Sequence, residues 1–67
     1  MLKLGNKIRE LRKELHLSQT KLAEQLNTTQ DTISLWELNK SMPDAENIVK
    51  MAKLFKVSSD YILGLEE

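Results

Sequence analysis

Apolar residues recur with helical spacing along nearly the whole chain, and residues that favour helix ends interrupt the pattern at short intervals. In the first segment Ile8, Leu11, Arg12 and Leu15 fall at i, i+3, i+4 and i+7, which places three aliphatic side chains and one arginine on a single face. The 67 residues include only 2 glycines and 1 proline, too few for a β fold built on tight turns. The pattern therefore predicts short helices, the first over residues 6–15.

The next two predicted helices cover residues 19–26 and 30–37. Ser18 and Thr29 precede them and suit the N-cap, where a side-chain oxygen accepts a free backbone N–H. Asn27 lies between them and tolerates the left-handed conformation that ends a helix, and Asn39 is a second candidate for such an end. A tight turn is therefore expected between these two helices.

Two more helices complete the prediction. Asp44 caps the fourth, and Ser58 caps a last helix over residues 59–63, which Gly64 stops. The predicted buried face of the fourth helix consists of Ala45, Ile48, Val49, Ala52 and Phe55. The predicted fold class is all-α, with five short helices in a single domain over residues 1–67 and a core spanning about 5–64.

Composition and charge exclude several classes of function. Without cysteine there is no disulfide framework or thiolate metal site, and His16 has no partner at ligand spacing, so neither a metal nor a cofactor is expected. No set of residues resembles a catalytic constellation, so no enzyme is expected. No apolar run is long enough to cross a membrane and residues 1–5 lack the apolar stretch of a signal peptide. We expect a cytoplasmic, nucleoid-associated protein.

The charged residues sum to zero but are unevenly distributed. Residues 1–16 contain five basic and two acidic side chains, a net charge of +3, whereas residues 44–67 contain three basic and five acidic ones, a net charge of −2. Such polarity can orient a protein on a polyanion even when the total charge is zero.

Residues 19–37 have the residue types that a helix-turn-helix requires. Ala23 is small enough for the two helices to approach at a steep angle, and Asn27 can take the positive φ of the turn. Ile33 and Trp36 lie on the inner face of the third predicted helix, where their burial can hold that angle. The first turn and outer face of this third helix then project from the body of the domain.

The projecting tip is the part of such a helix that enters a DNA major groove. Thr29 and Gln30 lie at the tip, and Asp31, Ser34 and Leu35 point outward, so these five residues are the candidate base-edge contacts. The Gln30 amide both donates and accepts, which suits the N6 and N7 atoms of adenine.

The chain resembles the phage lambda repressor and Cro family, also called the XRE family. The resemblance covers about residues 5–65, and it is carried by IRELR at 8–12, LSQ at 17–19, KLAE at 21–24, TTQ at 28–30, IS at 33–34, WE at 36–37, Pro43, LFKVS at 54–58 and DYIL at 60–63. It implies a five-helix DNA-binding domain. The family usually has glycine at the positions of Asn27 and Asn39, and the outer face of the third helix here has no lysine or arginine.

The resemblance also implies particular contacts with DNA. Gln19 is expected to contact phosphate and to brace the base-reading Gln30. The resemblance likewise implies phosphate contacts from the loop after the third helix, at Asn39, Lys40 and Ser41. Ser18 and Lys21, at the start of the second helix, are further candidate phosphate contacts.

Arg12 and Glu37 each lie about 40° around the helix from the central apolar residue of their segments. An arginine and a glutamate at the edge of one thin core are costly unless they pair. The family pairs these two positions, and we predict a partly buried Arg12–Glu37 bond that holds the third helix, over residues 30–37, against the first helix.

One such domain reads only half a site, so a homodimer on a palindromic double-stranded operator is expected. The candidate interface is the last helix with the 38–42 loop, where Leu38, Met42, Tyr61, Ile62 and Leu65 are apolar; completion of the core is the alternative role for Ile62 and Leu63. The predicted function is a sequence-specific transcriptional regulator, expected to be a repressor. The alternatives are the DNA-binding part of a longer repressor, an antitoxin, a restriction controller, or a helical protein-interaction adaptor.

Overall fold

The computed structural model describes residues 3–65 and contains, within them, five helices and no strand. The helices are α1 Gly5–Glu14, α2 Gln19–Leu26, α3 Gln30–Glu37, α4 Ala45–Phe55 and α5 Ser59–Ile62. The predicted all-α class is confirmed. The bounds of α2 and α3 are those predicted, whereas α1 is shifted by one residue and α5 ends one residue early.

Polar side chains cap four of the helices as predicted. The side chains of Ser18, Thr29, Asp44 and Ser58 each accept a hydrogen bond from the backbone N–H three residues later. Each cap satisfies one of the free donors of the first turn, which fixes where the helix begins.

Residues in the left-handed conformation end or follow all five helices of residues 3–65, and Gly64 (φ 77°) follows α5 as predicted. Asn27 (φ 58°) and Asn39 (φ 59°) adopt this conformation as predicted. His16 (φ 58°) and Lys56 (φ 59°) also adopt it, which the sequence did not indicate, because neither residue type favours a positive φ. At each turn the next residue, Leu17 or Val57, packs against the core, and its backbone N–H donates to the carbonyl of Arg12 or Ala52.

Every helix contributes to the centre of the core. The largest fully buried side chains are Ile8, Leu22, Ile33, Met51 and Ile62, one from each of the five helices. Residues that lie farther apart along the chain therefore depend on one another for burial, which makes a domain of this size cooperative.

Three predicted core positions are wrong. Leu15 is 44% exposed, because α1 ends at Glu14 and the chain turns away from the helical face at that point. Val49 is 45% exposed and Ala45 is also exposed, because α4 buries the face that contains Met51 instead. The predicted helical period of α4 is correct, but the buried face of the helix is rotated toward Met51.

Gly5 allows α1 to touch the end of α3. A Cβ added to Gly5 would lie 2.7 Å from the carbonyl carbon of Glu37 and 2.9 Å from the carbonyl oxygen of Trp36. The Gly5 backbone N–H donates to Oδ1 of Asn39 at 2.9 Å. The two helices therefore meet backbone to backbone, at a position that has room only for glycine.

Within residues 3–65, no helix is both long enough and apolar enough to cross a membrane.

Candidate nucleic-acid interface

The turn between α2 and α3 has the geometry that projects α3 from the body of the domain. Ala23 is 3% exposed and its carbonyl accepts the backbone N–H of Thr28 at 2.9 Å, while Asn27 takes the left-handed conformation. Thr29 then caps α3, and its hydroxyl oxygen also lies 2.9 Å from that of Thr32. The first turn of α3 is thus fixed by local hydrogen bonds.

The helix α3 has an inner and an outer face, as the sequence predicted. Ile33 is fully buried and Trp36 is 4% exposed. The candidate base-edge residues lie on the other side or at the tip: Thr29, Gln30, Asp31 and Leu35 are exposed, and Ser34 is half-buried. The side chains that are free to meet a ligand therefore include an amide, a carboxylate, hydroxyls and one aliphatic group, without a cation.

The predicted ion pair between Arg12 and Glu37 is present. Nε of Arg12 donates to Oε2 of Glu37 at 2.7 Å and Nη2 donates to Oε1 at 3.2 Å. The two side chains are only 11% and 1% exposed. Nη1 of Arg12 donates to the backbone carbonyl of Leu17 at 2.8 Å, so the guanidinium also ties down the link between α1 and α2.

Two further donors reach the Glu37 carboxylate, and neither contact was predicted from the sequence. Nε of Arg9 donates to Oε1 at 3.4 Å, from a side chain that is 41% exposed. Nε2 of Gln19 donates to the same oxygen at 3.0 Å. Glu37 is the only buried charged residue among residues 3–65, and these contacts compensate its removal from water.

Gln30 is braced by Gln19, as the family resemblance implies. Nε2 of Gln30 donates to Oε1 of Gln19 at 2.6 Å. The contacts form one hydrogen-bonded chain, which we call the Glu37–Gln19–Gln30 chain. It begins at the buried ion pair and ends at the exposed tip of α3.

Burial raises the pKa of Glu37, but hydrogen bonds from Arg12 and Gln19, the positive charge of Arg12 and a hydrogen bond from Arg9 together bring the pKa below its ordinary value of 4.5. A carboxylate whose pKa is lower in the folded state stabilises the fold above the ordinary pKa, and that contribution is lost as the pH falls through the folded value.

We expect the free energy of unfolding to decrease as the pH is lowered from 4.5, since protonation of Glu37 weakens its contacts with Arg12. Urea unfolding between pH 7 and pH 3 measures the loss. A Glu37→Gln variant should lack the part of this decrease that belongs to Glu37. Identical pH profiles for the two proteins would contradict the assignment.

The candidate phosphate contacts lie around α3 in two groups. Ser18 and Lys21 lie at the start of α2, where Nζ of Lys21 is 3.5 Å from the exposed Glu24 carboxylate. Lys40 is exposed and Ser41 is half-buried, in the loop after α3. Asn39 is half-buried, and its Oδ1 accepts the backbone N–H of Gly5. Asn39 therefore stabilises the contact between α1 and α3, in addition to its predicted contact with phosphate. The phosphate contacts themselves stay predictions.

The candidate dimer surface differs from the predicted one at one residue. Ile62 is 1% exposed and belongs to the core, so it cannot contact a partner. Leu38 is 53% exposed, Met42 is 38% exposed and Leu65 is 67% exposed. Tyr61 is half-buried, and its ring lies 4.2 Å from Nζ of Lys7 on α1.

An apolar groove of about 320 Å³ includes Met42 of this surface in its lining. It is lined by Met42, Pro43, Ala45, Ile48, Val49, Ser59 and Leu63. The groove joins the loop after α3 to α4 and α5, and so extends the candidate dimer surface.

Sequence reasoning missed Gly5 and Arg9 as residues that support the site. The string at residues 8–12 contains Arg9 but gives no sign that it reaches the Glu37 carboxylate, since that contact depends on how α1 crosses α3. Among residues 3–65, no cluster of histidine, aspartate and glutamate side chains could hold a metal ion.

The sequence of this chain is similar to that of a known family and to those of several regulators. The sequence profile of the helix-turn-helix family matches residues 8–62. The HTH-type transcriptional regulator ImmR of Bacillus subtilis (strain 168) is 34% identical over 64 residues, which is 96% of this chain and 50% of ImmR. The HTH-type transcriptional activator BcrR of Enterococcus faecalis is 36% identical over 66 residues, which is 98% of this chain and 32% of BcrR. The chain thus spans half the length, or less, of these relatives.

A solved structure is similar over nearly the whole chain. The crystal structure of the P22 c2 repressor protein in complex with synthetic operator 9T superposes with a TM-score of 0.88 at 30% sequence identity. The superposition covers 98% of this chain and 100% of that one.

Proposed function

Because this chain belongs to the helix-turn-helix family, we propose that it binds double-stranded DNA in a sequence-specific manner and regulates transcription. The observation that carries the proposal is the exposed tip of α3, where Gln30 is held in place by a hydrogen-bonded chain that starts inside the fold. A side chain held before the ligand arrives loses less conformational entropy when it binds. The likeness to a repressor solved with its operator supports the same function.

In the proposed complex, the first turn of α3 enters the major groove. Gln30 reads a base edge, Thr29 and Leu35 contact thymine methyl groups, and Asp31 and Ser34 face neighbouring bases. The phosphates of the DNA backbone are contacted by Ser18, Gln19, Lys21, Asn39, Lys40 and Ser41. The few cations in this set predict that affinity decreases only modestly with salt.

Gln30→Ala is the direct test of this arrangement. A selection from a random duplex library first identifies the preferred site of the wild-type protein. We expect Gln30→Ala to lose about 1–3 kcal/mol of binding free energy, confined to one or two base positions, because the base-edge contact is removed together with the hydrogen bond that braces it. Fluorescence anisotropy with single base-pair changes measures this loss.

Gln25→Ala is a matched control, since Gln25 is an exposed glutamine on α2 that has no assigned contact with DNA. It should bind every duplex as the wild type does. If the wild-type protein enriches no sequence, the proposed function is wrong, and an adaptor that binds another protein becomes the better explanation.

The proposed regulator works as a homodimer on a palindromic operator, through α5 and the 38–42 loop. A single α3 covers one half-site, and a two-fold dimer reads two half-sites about one DNA turn, ~34 Å, apart. The exposed apolar residues Leu38 and Met42 and the adjoining groove supply a surface that a second copy can cover.

Sedimentation with and without the selected operator tests the dimer. We expect dimers at high protein concentration and two copies per operator, and Val49→Glu should weaken both because it adds a charge to the groove lining. Lys53→Glu, at an exposed position of the same helix outside the groove, serves as control. Monomers alone under both conditions would exclude the dimer.

The proposed regulator represses by occupancy, since an operator-bound dimer blocks access to an overlapping promoter. It then acts where the chromosome is, in the cytoplasm and in association with the nucleoid.

A further inference from the structure

The buried carboxylate of Glu37 is connected to the exposed amide of Gln30 by two consecutive hydrogen bonds, of 3.0 Å and 2.6 Å. We propose that Glu37 is a positioning residue for base recognition: its carboxylate determines which atoms of the Gln30 amide face the DNA, and thereby favours adenine over guanine. This inference rests on the proposed function, because it concerns the same tip of α3.

The first step is the contact between Glu37 and Gln19. An ionised carboxylate has only acceptor atoms, so the group that faces it must be a donor. The Gln19 side chain therefore directs its Nε2 toward Oε1 of Glu37 and its own oxygen away from it. Arg12 donates to both oxygens of the carboxylate, at 2.7 Å and 3.2 Å, and so holds it in this orientation.

The second step carries this direction to the tip of α3. Oε1 of Gln19 can only accept, so Gln30 directs its Nε2 toward that oxygen. One N–H of that nitrogen and the amide oxygen of Gln30 remain for a ligand. This donor and acceptor match N7 and N6 of adenine, whereas guanine presents two acceptors, N7 and O6, in the same groove.

Without the carboxylate, the donors and acceptors of the Glu37–Gln19–Gln30 chain no longer have a fixed order. In Glu37→Gln the new amide both donates and accepts, so Gln19 can turn over and Gln30 can turn with it. A Gln30 amide that has turned offers two N–H donors to the groove, which suits guanine. The preference for adenine should therefore weaken, although Gln30 itself is unchanged.

The ratio of two dissociation constants separates this role from a role in stability alone. Partial unfolding lowers the apparent affinity for every duplex by the same factor, so it cancels in the ratio. The two duplexes are the selected operator and the same operator with the A·T pair read by Gln30 replaced by G·C. The Gln30→Ala variant identifies that pair.

We expect the wild-type protein to prefer the A·T duplex by about tenfold or more, and Glu37→Gln to prefer it by about threefold or less. Gln19→Leu should lose the preference to the same extent, because it removes the middle of the chain and leaves the Arg12–Glu37 pair in place. If Glu37→Gln does not fold, the ratio measured for Gln19→Leu tests the inference. Lys13→Ala is the control that should keep the wild-type ratio, since Lys13 is an exposed cation on α1 outside the contacts of the Glu37 carboxylate.

A wild-type ratio in a folded Glu37→Gln or Gln19→Leu protein would overturn the inference and leave the proposed function intact. A selected site without adenine at the position read by Gln30 would also overturn it. If the wild-type protein selects no site at all, the proposed function fails together with the inference.

Discussion

Arg12→Ala should lower the free energy of unfolding by about 3 kcal/mol or more. The substitution leaves the Glu37 carboxylate, 1% exposed, without its shortest ion-pair contact, and it also frees the carbonyl of Leu17. The remaining contacts from Arg9 and Gln19, at 3.4 Å and 3.0 Å, compensate only part of this loss. For a domain of this size, such a loss is a large part of the total stability.

Urea unfolding at pH 7 measures the effect, and Lys13→Ala is the matched control. Lys13 is an exposed cation next to Arg12 on α1, so its removal changes the net charge equally and should alter stability by no more than about 0.5 kcal/mol. If Arg12→Ala unfolds at the same urea concentration as Lys13→Ala, the ion pair does not stabilise the fold.

Gly5→Ala should lower stability by about 2–3 kcal/mol, although alanine is the better helix former. The new methyl group would meet the backbone of Glu37 and Trp36, which cannot rotate away as a side chain can. To make room, α1 must move from α3, and this movement also strains the hydrogen bond from Gly5 to Asn39.

Asn6→Ala tests whether the effect comes from the contact or from helix propensity. Asn6 is exposed and follows Gly5 in the first turn of α1, so this variant should be within about 0.5 kcal/mol of the wild type. Thermal unfolding of both variants gives the comparison. A Gly5→Ala protein that is as stable as the wild type would show that the two helices can separate without cost.

Local signals in the sequence were sufficient for most of the fold. The caps at Ser18 and Thr29 and the left-handed Asn27 define α2 and α3 almost without reference to the rest of the chain, because each acts on backbone groups within four residues. The Arg12–Glu37 pair was also predictable, since two charged residues at the edge of small apolar faces need a partner and the family resemblance pairs these two positions.

Other features depend on how whole helices pack. The contact of Gly5 with the end of α3, the reach of Arg9 to Glu37 and the exposure of Val49 all follow from the angles between helices. Helical periodicity gives the width of an apolar face, but several rotations of that face satisfy it equally well. The left-handed His16 and Lys56 belong to the same group, because the residues after them, Leu17 and Val57, pack against the core.

Local signals alone specified the five helices of residues 3–65, four side-chain caps, the turn between α2 and α3 and the residues at the tip of α3, because these depend on interactions between near neighbours in the chain. The family resemblance implied that Gln19 braces Gln30, but the contact of Gln19 with the buried carboxylate of Glu37 is evident only in the packed fold. Those three residues come from the start of α2 and both ends of α3, and the directions of their amides depend on distances that exist only after the helices have packed.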